Sequence, residues 1–170
     1  MAGPSLGTLV STGTGDMFLM VKGAKHGLIK GESQDDQHKG EIDVVSWSWG
    51  LEAAPVYMGG GQRKANAREL KIIKRVDTAS TALMAALRHN ELITKAVLTV
   101  RKAGKTPLEY LIITIENGRV TEVALNSELD GPLLSEQVRF SFNKITVEYK
   151  GQGKDGQSLG ARTFSDQFGE

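Results

Sequence analysis

The amino-acid sequence predicts a mainly β domain with a single helix. Its 170 residues lie within the usual range for one domain. Glycine contributes 20 of them, about 12% against roughly 7% in average proteins, and this excess favours a turn-rich β fold. Several segments alternate apolar and polar residues with the period of a strand, whereas one segment, 81–90, shows a helical stripe.

The first strand signals lie in the N-terminal third. The apolar segment "MFLMV", 17–21, predicts a short strand, and the polar segment 30–40 predicts a loop. Residues 41–49 predict a strand whose alternation separates two faces. We expect the face with the tryptophans to look into the core, because their apolar area is large; its members are Val45, Trp47 and Trp49. The opposite face holds Ile42, Val44, Ser46 and Ser48.

That second face ends in two serines, which are neither apolar nor charged. Such an exterior is unusual for a lone monomer and indicates a surface that meets another protein or a channel. The segment that follows, 50–67, contains three consecutive glycines and predicts a long loop. A loop of this length in a compact domain is usually functional or disordered.

A further strand and the helix come next. Residues 69–76 predict a strand whose two faces are Leu70, Ile72 and Val76 on one side and Lys71, Ile73 and Arg75 on the other. The segment 81–90 predicts the helix, with Ser80 as its N-cap. Its apolar stripe consists of Leu83, Ala86 and Leu87, with Met84 beside them.

Strands then continue toward the C-terminus. Residues 95–102 and 108–118 predict a hairpin, and 119–126 a weaker strand. In the long segment 135–150 the apolar phase switches, from Val138, Phe140 and Phe142 to Ile145, Val147 and Tyr149. A slip of one residue reverses the faces of a strand, so we expect a bulge or bend near Asn143 and Lys144. Such a strand can serve two sheets of one barrel or sandwich. A short strand is expected around 160–165.

Composition excludes several classes of protein. There is no cysteine, so neither disulfides nor thiolate chemistry are available. The 21 basic and 20 acidic residues give a net charge of +1, which argues against a nucleic-acid partner. The apolar runs are too short for membrane insertion. Residues 1–15 lack the basic and apolar regions of a signal peptide, and we expect them to form a flexible arm.

The motifs for catalysis or cofactor binding are incomplete. The glycines at 59–61 lack the Gly-Lys-Ser/Thr ending and the following helix of a phosphate loop. His26, His38 and His89 have no metal-ligand spacing. Acidic residues cluster between 32 and 43 without the register of a calcium loop, which favours a solvated loop. No Gly-x-Ser-x-Gly elbow is present. We therefore expect no catalytic, cofactor-binding or metal-binding residues.

Several stretches, in this order, resemble the haemolysin-coregulated proteins, which are tube subunits of type VI secretion systems. They are "MFLMVKG", "IKGESQDDQHKGEIDVVSWSWG", "KIIKRVDTASTALMAAL", "AVLTVRKAG", "EYLIITIEN" and "SEQVRFSFNKITVEYK". The resemblance spans roughly residues 17–150. Its most specific parts are "KGES" at 30–33 and the Trp-Ser-Trp strand at 41–50.

The resemblance implies a compact β-barrel of two sheets with one flanking α-helix and a long extended loop. It would form a single domain, 16–170, behind the arm at 1–15. The resemblance also implies homohexameric rings that stack into a tube, without enzymatic activity. Further implied partners are a tube-tip spike protein, a contractile sheath and effectors held in the ring lumen. The implied location is the bacterial cytoplasm before firing, then the medium or a target cell, without a signal peptide.

The same resemblance implies roles for individual residues. Ser48, with Ser46 beside it, is expected to line the lumen. The long loop is expected to reach a neighbouring subunit or the next ring through Val56, Tyr57, Met58, Gly59, Gly60, Gly61, Arg63 and Lys64. The expected structural core includes Trp47, Trp49, Phe140 and Phe142.

Three alternatives remain open on the sequence. A phage-like tail tube protein would share the assembly and differ in its genomic neighbours. A monomeric ligand-binding β-barrel, for instance for carbohydrate, would expose its tryptophans. An enzyme with a hidden site would need a deep polar pocket.

Overall fold

The computed structural model describes residues 16–53, 65–102, 108–127, 134–155 and 157–169. Within these ranges the chain forms eleven strands and one helix. The strands are β1 Met17–Gly23, β2 Gly27–Ile29, β3 Ile42–Ser48, β4 Leu51–Ala53, β5 Ala65–Ala67, β6 Leu70–Arg75, β7 Ile93–Arg101, β8 Glu109–Ser127, β9 Leu134–Ser141, β10 Lys144–Gln152 and β11 Ser158–Gln167. The helix is α1 Ala79–Arg88. The mainly β prediction with one flanking helix is confirmed.

Six strands close into a barrel in the order β8, β7, β1, β3, β6 and β9, because β8 pairs with both β7 and β9. The first part of β8 pairs with β7, for example Thr114 with Val97, and the last part pairs with β9, for example Val123 with Val138. The two segments predicted separately at 108–118 and 119–126 are thus one strand of 19 residues. Because of this length, β8 pairs with β7 in one sheet of the barrel and with β9 in the other.

The predicted bend near Asn143 is confirmed. Strand β9 ends at Ser141 and β10 begins at Lys144. The Asn143 amide donates to the carbonyl oxygens of Glu116 at 3.1 Å and Asn117 at 3.2 Å. Beyond the bend, β10 leaves the barrel and pairs with the first part of β8 on one side and with β11 on the other. The switch in apolar alternation between Phe142 and Ile145 therefore lies where the chain passes from β9 of the barrel to β10 outside it.

The core fills the barrel interior. Its fully buried large side chains include Leu19, Ile42, Leu70, Ile72, Leu83, Ile93, Leu98, Ile113, Ile115 and Phe140. Phe18 alternates with Leu19 along β1 and is buried against His38 instead. Trp47, Trp49 and Phe142 are half-buried and pack against this core. Since apolar side chains occupy the interior, the barrel is a packed body, as small barrels usually are.

The predicted faces of β3 are wrong in its first half. Ile42 and Val44 are buried, whereas Val45 is 48% exposed. The pairing of β3 with β6 shifts between Val44 and Ser46, which is a bulge. One extra residue in a strand reverses the side chains beyond it, so the inward set changes from Ile42 and Val44 to Trp47.

Two further expectations need correction. Val76 lies beyond the end of β6 and is 37% exposed, and Lys74 takes the third inward position of that strand. The helix begins at Ala79, and Thr78, rather than Ser80, is its N-cap residue. Asp77 Oδ1 accepts the Ala79 amide at 2.9 Å, while the Asp77 amide donates to Ser80 Oγ at 3.0 Å. The apolar stripe itself was predicted correctly.

Candidate functional site

Within the described part of the chain, no group of three or more His, Asp or Glu residues is placed to hold a metal ion. Two shallow depressions of about 240 Å³ and 280 Å³ are present. The first lies between Arg68, Phe142 and Phe168, the second between Leu28, Lys30 and Lys39. Three surfaces stand out beside these depressions.

The first surface is the outer face of β3, β6 and β9. Side chains of these strands alternate between the core and this face, and Ser46 and Ser48 are both exposed on it. Ser46 pairs with Ile73, which pairs with Gln137; Ser48 pairs with Lys71, which pairs with Arg139. We call these six residues the serine face: Ser46, Ser48, Lys71, Ile73, Gln137 and Arg139.

The charges of the serine face lie in one row. Lys71 and Arg139 are direct cross-strand partners, and like charges in that relation are destabilising. Glu122 of β8 is the next residue in the row, with Oε2 3.7 Å from Arg139 Nε. Gln137 Nε2 also donates to Glu122. One carboxylate therefore lies beside two cations.

The second surface is the free edge formed by β11. Among the residues that the structure describes, this strand pairs with β10 alone, and all ten of its residues are exposed. Leu159 is 73% exposed and Phe164 is 41% exposed; Tyr149 of the adjacent β10 is 50% exposed. An edge strand with exposed apolar side chains is a template for pairing with another chain.

The third surface is the base of the long loop. Strands β4 and β5 form an antiparallel ribbon in which Leu51 pairs with Ala67 and Ala53 with Ala65. The Arg68 amide donates to the Gly50 carbonyl at 2.9 Å, which joins the ribbon to the barrel strands β3 and β6. The expected contact residues Val56, Tyr57, Met58, Gly59, Gly60, Gly61, Arg63 and Lys64 lie outside the described residues, as does the arm at 1–15.

A polar cluster that the sequence did not predict fixes the loop between β2 and β3. His38 is buried, and its ring stacks on Phe18 with 4.4 Å between centroids. Its Nε2 lies 2.7 Å from Glu109 Oε1, and its Nδ1 contacts Glu41. Burial raises the pKa of the Glu41 carboxyl. The sequence analysis expected a solvated loop here because Phe18 and Glu109 are distant along the chain.

The same loop is held by a second ion pair. The Arg101 guanidinium binds Asp35 through two hydrogen bonds, of 2.6 Å and 3.2 Å. These bonds lower the pKa of Asp35 to about 2. Arg101 also lies over the Phe18 ring, 5.0 Å from its centroid. Asp35 and Glu41 are thus tied to the barrel, whereas Glu32, Asp36 and Asp43 are exposed. The solvated loop predicted from the sequence is correct for these three and wrong for the other two.

A buried charged group lies inside the barrel near the start of α1. Lys74 Nζ donates to Asp77 at 2.8 Å, to Glu136 at 3.0 Å and to Ser80 at 3.1 Å. Ser80 Oγ also donates to Glu136. This network ties β6 and β9 to the start of α1, and Lys74, Ser80 and Glu136 are buried.

Comparison with known proteins gives a consistent result. The family model described as "Type VI secretion system effector, Hcp" matches residues 18–149. Protein hcp1 of Pseudomonas aeruginosa is 37% identical over 149 residues, covering 85% of this chain and 89% of that protein. A type VI secretion system effector from Yersinia pestis is 30% identical, with a TM-score of 0.70, covering 89% of this chain and 98% of that one. Hcp1 from Salmonella typhimurium is 32% identical, with a TM-score of 0.70, covering 89% and 95% of the two chains.

Proposed function

Because the chain belongs to the Hcp family of type VI secretion systems, we propose that it is a structural subunit that closes into hexameric rings. Rings of this kind would stack into a tube. A ring forms when one patch of a subunit meets a different patch of the next and the rotation closes. The chain therefore needs two unlike surfaces that complement each other.

The observation that carries this proposal is the free edge of β11. Within the described ranges, one side of this strand has a row of backbone donors and acceptors with no pairing strand. Exposed Leu159 and Phe164 add apolar area to the same strand. Soluble monomers usually blunt such an edge with charges, bulges or a covering element. Pairing with another subunit would satisfy the backbone groups and cover the apolar side chains.

Further parts of the proposal follow from the same assembly. The loop at 50–67 would contact a neighbouring subunit or the next ring, and Ser46 and Ser48 would line the channel. Effectors carried there, a spike protein at the tip and a surrounding sheath would be the partners, and no catalysis is involved. The protein would act in the cytoplasm first and be secreted on firing.

Within the described residues, no helix is long and apolar enough to cross a membrane.

The competing proposal of a monomeric ligand-binding barrel has less support. A binding barrel needs an open interior, whereas apolar side chains of β1, β7 and β8 fill this one. A phage-like tail tube protein would use the same assembly, and the comparisons name secretion proteins instead.

The first test is the mass in solution, measured by size-exclusion chromatography with light scattering. We expect a species of six times the chain mass of 18.4 kDa. Crosslinking followed by electrophoresis checks that the largest closed species has six chains. A protein that stays monomeric at high concentration contradicts the proposal.

A further inference from the structure

We infer that the serine face holds a carboxylate-binding position, formed by Ser48, Lys71 and Arg139, for acidic segments of protein cargo. The inference rests on the proposed function, in which this face lines the channel of the ring. It specifies which chemical group of the cargo the channel would bind.

The sheet register brings the three groups together. Ser48 pairs with Lys71, and Lys71 pairs with Arg139, so they occupy one row across β3, β6 and β9. Directly opposed residues in antiparallel strands have Cβ atoms about 4.5–5.5 Å apart. A hydroxyl, an ammonium and a guanidinium therefore project from neighbouring positions, where they can converge on one anionic group.

The row lacks enough negative charge to neutralise its cations. Glu122 lies closest to Arg139, at 3.7 Å, and also accepts from Gln137. Lys71 forms no ion pair within the residues that the structure describes. Arg139 Nε is buried and does not face an incoming ligand, but the Arg139 side chain as a whole is 44% exposed. A second carboxylate would therefore bind the Lys71 ammonium and the terminal nitrogens of the Arg139 guanidinium.

The arrangement fits a protein carboxylate better than a nucleic acid. A nucleic-acid site needs a basic stripe that follows successive phosphates. Here the adjacent row, Ser46, Ile73 and Gln137, is uncharged, and the whole chain has a net charge of only +1. A single cationic row suits isolated Asp and Glu side chains. In a ring, each subunit would repeat the row, and several weak contacts would combine.

The test uses the full-length protein and three labelled probes: a glutamate decapeptide, a glutamine decapeptide and an oligothymidylate. Fluorescence anisotropy gives the affinities at low and moderate salt. We expect the glutamate peptide to bind more tightly than the glutamine peptide. Lys71→Ala should weaken glutamate binding by about two- to fivefold, the effect of losing an exposed ion pair. Lys71→Arg should retain the binding, and Lys71→Glu should abolish it.

The matched control is Lys95→Ala, which removes an exposed lysine of β7 outside the serine face. It should leave glutamate binding unchanged. Equal binding of both peptides, equal effects of the Lys71 and Lys95 variants, or tighter binding of the oligonucleotide would each overturn the inference. Light scattering on the same samples separates the two proposals. Rings that lack Lys71-dependent binding refute the carboxylate position alone, whereas a monomer that shows this binding supports the position and refutes the ring.

Discussion

Lys74 and Glu136 form an ion pair inside the barrel, with 3.0 Å between Nζ and Oε2 and both side chains inaccessible to solvent. The pair lies on adjacent strands, since Lys74 of β6 is the direct partner of Glu136 of β9. Asp77 and Ser80 complete the polar group at the start of the helix. Buried charges are tolerated only when paired and hydrogen-bonded.

We predict that Lys74→Ala strongly destabilises the fold. Removing one partner leaves an uncompensated buried carboxylate, which costs about 3–5 kcal/mol of unfolding free energy. Urea unfolding measures the change. Lys71→Ala is the matched control, because Lys71 is on the same strand and faces outward; we expect it to cost less than about 0.5 kcal/mol. Similar losses for the two variants would contradict this view of Lys74.

A second prediction concerns the point where β8 passes from one partner strand to the other. A Cβ atom added at Gly118 would lie 2.0 Å from the carbonyl oxygen of Ser141. The obstacle is backbone, so Gly118→Ala should shift β8 or β9 and cost about 1–3 kcal/mol. Thermal unfolding checks this. Gly50→Ala meets no atom within 4 Å and should change the melting temperature little; an equal effect of both substitutions would contradict the steric argument.

A third prediction concerns acid. The Arg101 guanidinium lowers the pKa of Asp35 from 3.8 to about 2. Because the pKa is lower in the folded state, this pair stabilises the fold above about pH 4, and the contribution is lost as pH falls from about 4 toward about 2. Asp35→Asn should therefore lose less unfolding free energy over that window than the wild type. Urea titrations at several pH values measure the two slopes.

Two carboxyl groups near Asp35 have raised pKa values, whereas the pKa of Asp35 is lowered. Burial raises the pKa values of Glu41 and Asp43, so protonating them favours the folded state as pH falls. Both proteins contain these groups. The charge of Asp35 is a minor cause of the two raised pKa values, so most of their contribution is common to the two slopes. The control is Asp36→Asn at the exposed adjacent position. If Asp36→Asn flattens the slope as much as Asp35→Asn does, the ion pair with Arg101 is not the cause.

A fourth prediction tests the free edge. Leu159→Lys places a charge at the most exposed large apolar residue of β11, and we expect the mass in solution to fall toward that of one chain. Leu125→Lys, at another exposed leucine outside β11, is the control and should preserve the assembly. Circular dichroism of both variants verifies that the barrel is intact. A ring that survives Leu159→Lys would show that its contacts lie elsewhere.

Local patterns predicted the longer strands, the helix and the bend at Asn143, because each depends on residues close together in sequence. The short strands β2, β4 and β5 were missed, and β4 and β5 lie within the segment 50–67 that was predicted to be a loop. The bulge in β3 was missed: its effect on Val45 depends on pairing with β6, which alternation within one strand does not report. Lys74 was missed as an inward residue because its partners, Glu136 and Asp77, are contributed by other parts of the fold. The loop containing His38 looked solvated for the same reason.

The double membership of β8 has a consequence for synthesis of the chain. Strand β1 pairs with nearby β3 at Phe18 and Leu19 only, whereas its longer pairing is with β7, which lies far along the chain. The barrel closes only when β9 joins β8. A ribosome therefore releases most of the polypeptide before the first strands can be covered. Such non-local pairing is slow and exposes apolar strands to aggregation while translation continues. The barrel cannot close until the residues beyond 134 have emerged.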